Sequence, residues 1–160
     1  MAFTFEVTGI DELINKMSKL PDNGADVAAL ALYEGAAVMA DAVSQAVQGI
    51  DTAPFRYAKG GRKRLPSPEE KAILMQAKKG VAKFKKTKVR VDTSVGMQNA
   101  GYANLNGKTK PIPQIANAIN SGTSFMKKQP FFRKAMAKSG AAAAAVESGI
   151  KSRLEELSLD

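Results

Sequence analysis

The chain has 160 residues, with 24 Lys and Arg against 15 Asp and Glu, a formal charge of +9, and no His, Cys or Trp. Absence of Cys excludes disulfides, thiolate chemistry and Cys-ligated zinc, and absence of His removes the commonest general base, metal ligand and near-neutral pH switch. Carboxylate, Lys, Ser and Tyr chemistry remain, in a chain that is 44% hydrophobic and 24% charged, as globular proteins are.

The N-terminus reads Met-Ala-Phe-Thr-Phe-Glu, with the acid Glu6 where a secretory signal would carry a basic and then an apolar run. No apolar stretch approaches the ~20 residues of a membrane span, so a soluble, intracellular protein without a membrane partner is expected. Phe3, Phe5 and Val7 alternate with polar residues and predict a first strand. Ile10, Leu13, Ile14, Met17 and Leu20 then follow at helical spacing until Pro21. A second, Ala-rich helix is capped by Asn23 or Asp26, carries the stripe Leu32, Ala36, Met39, Val43 and Val47, and ends at Gly49.

Gly49 to Pro68 holds three Pro, three Gly and five basic residues and predicts a loop, mobile in the isolated chain. Ser67-Pro68-Glu69-Glu70 is a helix start, with a hydroxyl cap, Pro in the first turn and acids at the positive dipole end. The helix it begins is expected to run to about Lys86. From Lys88 the period becomes two, with Val89, Val91, Thr93, Val95 and Met97 on one side of a strand. Gln98 to Lys110 predicts a loop with room for a short strand at Tyr102 to Leu105. Ile112, Ile115, Ala116 and Ile119 fit one or two helical turns or a short edge strand.

Phe132, Met136, Ser139, Ala143, Val146, Ile150, Leu154 and Leu157 repeat at steps of three and four, predicting one helix from about Pro130 to Leu157. At 1.5 Å per residue it would be ~40 Å long, so part of it should reach past the core or pack on a neighbour. Together these elements make one α+β domain, residues 1–160, with a small antiparallel sheet on Ala-rich helices, a long C-terminal helix, and a basic loop-and-helix insertion at about 51–87.

Arg56 to Arg90 contains 13 basic and two acidic residues, and the rest of the chain carries a small net negative charge. Arg56, Lys59, Arg62, Lys63 and Arg64, close to Phe55 and Tyr57, are candidate contacts for a protein partner or for DNA. A solvated face, an acidic protein partner and direct nucleic-acid contact all fit that composition. Gly60-Gly61-Arg62-Lys63 lacks the spacing of a phosphate-binding loop. The pairs Asp11-Glu12, Glu69-Glu70 and Glu155-Glu156 lie near helix ends and are expected on exposed faces, where capping or solvation explains them. No catalytic, cofactor or metal site emerges, and no enzyme is expected.

Gly122-Thr123-Ser124-Phe125-Met126-Lys127-Lys128-Gln129-Pro130-Phe131-Phe132-Arg133 is the most informative stretch. Gly122 can supply a positive backbone angle, the polar loop reverses the chain, and Pro130 starts the last helix with Phe131 and Phe132 pinning it. These residues resemble the head-tail joining, or tail-completion, proteins of long-tailed bacteriophages, also described as minor tail components. The match is carried by Gly122, Thr123, Ser124, Met126, Gln129, Pro130, Phe131 and Arg133. The opening Phe5 to Leu13 and the Ala-rich helix followed by Asp51-Thr52 are similar to that family as well. The chain departs from its pattern at Ala53-Pro54-Phe55 and at Asn120-Ser121.

The resemblance implies a structural virion protein of the neck, assembled in the host cytoplasm as a homo-oligomeric ring, hexameric by analogy, between tail tube or terminator proteins and the head connector. It also implies that Gly122, Thr123, Gln129, Pro130, Phe131, Phe132 and Arg133 serve subunit packing, and that genome DNA passes through the lumen, where non-specific contact is open to it. The alternatives are a tail terminator ring and, in another class, a basic nucleic-acid-binding protein.

Overall fold

The computed structural model describes residues 2–4, 24–54, 60, 62–77, 80–81, 85–86, 91–92, 94–97 and 100–158. Strand β1 (Ala2–Thr4) is followed by helix α1 (Gly24–Gln48), helix α2 (Pro68–Gln76), and the short strands β2 (Gly80–Val81), β3 (Lys85–Lys86), β4 (Val91–Asp92) and β5 (Ser94–Gly96). A hairpin of β6 (Tyr102–Leu105) and β7 (Lys108–Pro111) leads into helix α3 (Ile112–Ser121), and helices α4 (Phe131–Met136) and α5 (Ser139–Ser158) close the chain. The fold is α+β. The helix expected over residues 10–20, and Phe5 and Val7 of the first strand, lie outside the described residues.

Antiparallel pairing places β5 between β1 and β2, with Phe3 opposite Val95 and Val81 opposite Val95; β3 pairs with β4 and β6 with β7. Val95 and Met97 are buried, two residues apart, as the alternation predicts. The β6–β7 turn is Asn106-Gly107 at φ 53° and 74°, the two positive angles a two-residue type I′ turn requires. The segment read as mostly loop is therefore a regular hairpin, and the Asn-Gly dipeptide is its signal.

The expected stripe of α1 is real: Ala36, Met39, Val43 and Val47 are fully buried. Ala31, Val27 and Ala42 are buried too, because α1 packs against α5, α4, α2 and β5 at once. Length and composition alone would let Asp26–Gln48 cross a membrane, contrary to the expectation that no stretch approaches that length. Within that span Val27, Ala31, Ala36, Met39, Val43 and Val47 are buried against neighbouring elements, while Leu30 and Tyr33 are exposed. Lys71 of α2 donates from Nζ to the carbonyls of Gln48 and Ile50, at 2.6 and 2.9 Å, and so neutralises the negative end of α1.

Two helix boundaries differ from the sequence reading. α2 ends at Gln76, not near Lys86; Ala77 is extended and its N–H makes the last turn's bond to Ile73. Gly80 is a poor helix residue and Val81 gains a strand partner in Val95, so sheet pairing wins over the helical spacing.

The C-terminal helix is also two helices. The N–H groups of Ala137 and Lys138 bond three residues back, to Lys134 and Ala135, and the low helix propensity of Ser139-Gly140 gives a weak point for the bend. The bend lets Phe131 and Phe132 enter one core while Ala142, Val146 and Ile150 enter others, and it leaves Met136 and Ser139 of the expected stripe exposed. α5 is then ~30 Å long and lies along the 25-residue α1, so its length is matched within the chain and needs no neighbour.

Close approach of α1 and α5 depends on Gly35. A Cβ there would stand 2.5 Å from Val146 Cγ2 and 2.9 Å from the carbonyl oxygen of Ala142. Nearby, Arg153 Nη2 donates to Glu34 at 2.6 Å across the same pair of helices. Gly35→Ala should therefore cost about 1–3 kcal/mol by overpacking, read as a lowered urea midpoint. Gly140→Ala, in open space, should be neutral or raise stability by up to about 1 kcal/mol.

Candidate functional site

The basic loop and the Gly122 to Arg133 stretch, far apart in sequence, meet in the structure. Arg64 and Met126 form an isolated parallel bridge, with Arg64 N–H donating to the Phe125 carbonyl at 2.9 Å and Lys127 N–H donating to the Arg64 carbonyl at 2.8 Å. Ala53 N–H donates to the Pro66 carbonyl at 3.0 Å, which closes the base of the loop.

The Arg64 side chain turns into the protein. Its Nη1 and Nη2 donate to Glu70 Oε2 and Oε1, both at 2.7 Å, in a bidentate pair whose side chains are 11% and 4% exposed. Nη1 also donates to the Leu65 carbonyl, and the guanidinium lies 5.9 Å from the centre of the Phe125 ring. Glu70 simultaneously completes the capping box of α2: Ser67 N–H donates to its Oε2 at 2.7 Å, and Glu70 N–H donates to Ser67 Oγ at 3.1 Å. Glu70 is thus buried and paired, not on the exposed face the sequence reading gave it. Burial pushes its carboxyl pKa up, but the Arg64 hydrogen bonds, the Ser67 backbone N–H and the Arg64 charge outweigh this and hold it below the ordinary 4.5.

The Gly122 to Phe132 stretch is built as one hydrogen-bonded unit. Gly122 sits at φ 77°, and a Cβ there would press on the backbone of Lys128, so both the angle and the space call for glycine. Thr123 Oγ1 accepts from Met126 N–H at 3.0 Å, and Thr123 N–H donates to the Met126 carbonyl at 3.1 Å. Gln129 is buried, with its N–H on the Ile119 carbonyl at 2.8 Å, and Pro130 makes a tight turn between Gln129 and Phe131. Asn120 Oδ1 accepts from Phe132 N–H at 3.1 Å and so satisfies one of the free donors at the start of α4. Phe131 and Phe132, ring centres 4.5 Å apart, are buried with Ile115, Ile119 and Met126.

The candidate residues therefore separate by position. Arg62 and Lys63 are exposed, Arg64 is internal, and Arg56 and Lys59 lie outside the described residues. Of the motif residues assigned to subunit packing, Gln129, Phe131 and Phe132 are consumed in this chain's own core, Gly122, Thr123 and Pro130 are half-buried in the turn, and Arg133 is exposed on α4. Lys127 and Lys128 are exposed beside the bridge and belong with Arg62 and Lys63. The sequence shows them as a Lys-Lys pair within the motif, but only the backbone bridge joins them to the loop.

Among the described residues no three carboxylates are placed to hold a metal ion. The clefts along α5 are shallow and polar, one of them lined by Glu34, Ser148, Gly149, Ser152 and Arg153. No family model matches the chain, and no curated protein or solved structure is significantly similar to it.

The Arg64 to Glu70 pair makes a direct prediction. Glu70→Gln leaves a buried guanidinium without its counter-charge and should cost about 3 kcal/mol or more. Because the folded carboxyl titrates below 4.5, the pair's contribution is fully present above that pH. It is lost as the pH falls through the lower folded value. Urea midpoints of the two proteins, well separated at neutral pH, should converge in acid.

Proposed function

We propose that this chain is a structural subunit of a bacteriophage neck, a tail-completion or head-tail joining protein that assembles as a ring and acts by docking, not by transforming a substrate. The reading rests on the resemblance carried by Gly122, Thr123, Ser124, Met126, Gln129, Pro130, Phe131 and Arg133. The observation that best supports it is that these residues form one hydrogen-bonded loop-and-helix unit. That unit is locked to the basic loop through Arg64 and presents Arg62, Lys63, Lys127, Lys128 and Arg133 outward.

Such a unit suits docking. The motif spends its apolar residues on holding two loops in a fixed relation, and it turns its charge to solvent, where charge steers association and sets orientation. Within the same class, a tail terminator ring would use the same arrangement.

Two measurements test the proposal. Lysates of a phage lacking this chain should show DNA-filled heads beside separate tails, and complementation should restore joined particles. The purified chain, measured by light scattering over a concentration series, should form a closed oligomer. A chain that stays monomeric at high concentration and is absent from purified virions would refute the reading.

A further inference from the structure

The outward side of the Arg64 to Met126 bridge supports an inference that does not depend on the neck assignment. Paired strands lie ~4.8 Å apart, and successive side chains point to opposite sides. Arg64 and Met126 occupy the inner side: Met126 is buried, and Arg64 is spent on Glu70. Lys63 and Lys127, the neighbours of Arg64 and Met126 on the two segments, are exposed, as is Phe125. Arg62 and Lys128, next along each segment, are exposed as well. Among the described residues none of these four cations is in an ion pair, and the carboxylate that meets this unit, Glu70, is already taken by Arg64.

A row of like charges on a hydrogen-bonded frame raises its own electrostatic energy, and a polyanion relieves it while releasing its counterions. We propose that Arg62, Lys63, Lys127 and Lys128 form a binding surface for the phosphate backbone of duplex DNA, with no preference for sequence. Two features favour phosphate over an acidic protein surface. Three of the four cations are Lys, a residue depleted from protein–protein interfaces, where Arg is enriched. The patch also offers a single exposed ring, Phe125, where a protein interface would need an apolar centre. The Arg64 guanidinium lies 5.9 Å from the centre of that ring, which stays half exposed and open to a sugar edge.

The test uses the full chain and a short fluorescent duplex of arbitrary sequence, with binding followed by anisotropy across a salt series. For four neutralised phosphates, affinity should fall about a hundredfold between about 50 and about 200 mM salt, with a log–log slope of about −3.6. Replacing Arg62, Lys63, Lys127 and Lys128 together by Gln should remove about three to four units of that slope. Replacing the same number of exposed lysines elsewhere, Lys108, Lys110, Lys138 and Lys151, by Gln should leave it within about one unit. Lys63→Arg with Lys127→Arg and Lys128→Arg should retain binding, and matched thermal melts show that the variants are folded.

The proposal is overturned if the unaltered chain does not bind the duplex at the lowest salt, or if the two Gln variants lose affinity equally. Capture of polyglutamate without any binding to DNA would likewise overturn it and assign the surface to an acidic protein. Failure of the neck reading appears instead in particle morphology, so the two outcomes are read separately.

Discussion

Arg64 lies where water scarcely reaches, and its charge can be held there only because both oxygens of Glu70 meet it at 2.7 Å. Removing either partner would strand the other, since an isolated charge in such a setting costs several kcal/mol while the assembled pair roughly breaks even. The pair's value is thus in what it holds together. Glu70 starts α2 with Ser67, and Arg64 carries the loop that bridges to Met126. The Gly122 to Phe132 unit then anchors that bridge on the aromatic core. Helix cap, basic loop and aromatic anchor therefore share one electrostatic joint.

The second constraint is steric. α1 and α5 meet along most of their length, with Ala31, Ala36, Ala142 and Val146 buried between them beside Val27 and Ile150, and with Gly35 and Gly149 where no Cβ would fit without a shift. Small side chains let the two backbones approach, so apolar burial is achieved with little side-chain volume. The main core lies further along the same stripe, toward the C-terminal end of α1, where Val43 and Val47 meet Leu74, Ile119, Met126, Phe131 and Phe132. The bend after Met136 lets the C-terminal segment serve both regions. Phe131 and Phe132 belong to the large core, and Val146 and Ile150 to the helix pair.

These two constraints divide the labour between inside and outside. Apolar motif residues work inside the subunit, which removes Phe131 and Phe132 as direct contacts to a neighbour and leaves cations as the groups presented by the same unit. The docking role proposed above would draw on this separation, because a docking face must keep its geometry when partners come and go. A frame of main-chain hydrogen bonds, with Arg64 beneath it, provides that rigidity without spending the exposed charges.

Local features were legible from the amino-acid order because they depend on neighbours a few residues away. The stripe of α1, the Ser67 cap with Pro68, the alternation at Val95 and Met97, the positive angle at Gly122 and the start of a helix at Pro130 all follow from backbone preference and periodicity. The concentration of positive charge was equally plain. What the order of residues left open depends on partners distant in the chain. Gly80 and Val81 join a sheet because β5 is there to receive them, although their spacing fits a helix. Periodicity also ran unbroken through Ala137 and Lys138, and only the two separate cores make the bend there favourable. Above all, Arg62 and Lys63 reach Lys127 and Lys128 through a backbone bridge between segments some sixty residues apart, a proximity that carries no local signature because it is decided by which buried surfaces and charges can be satisfied together.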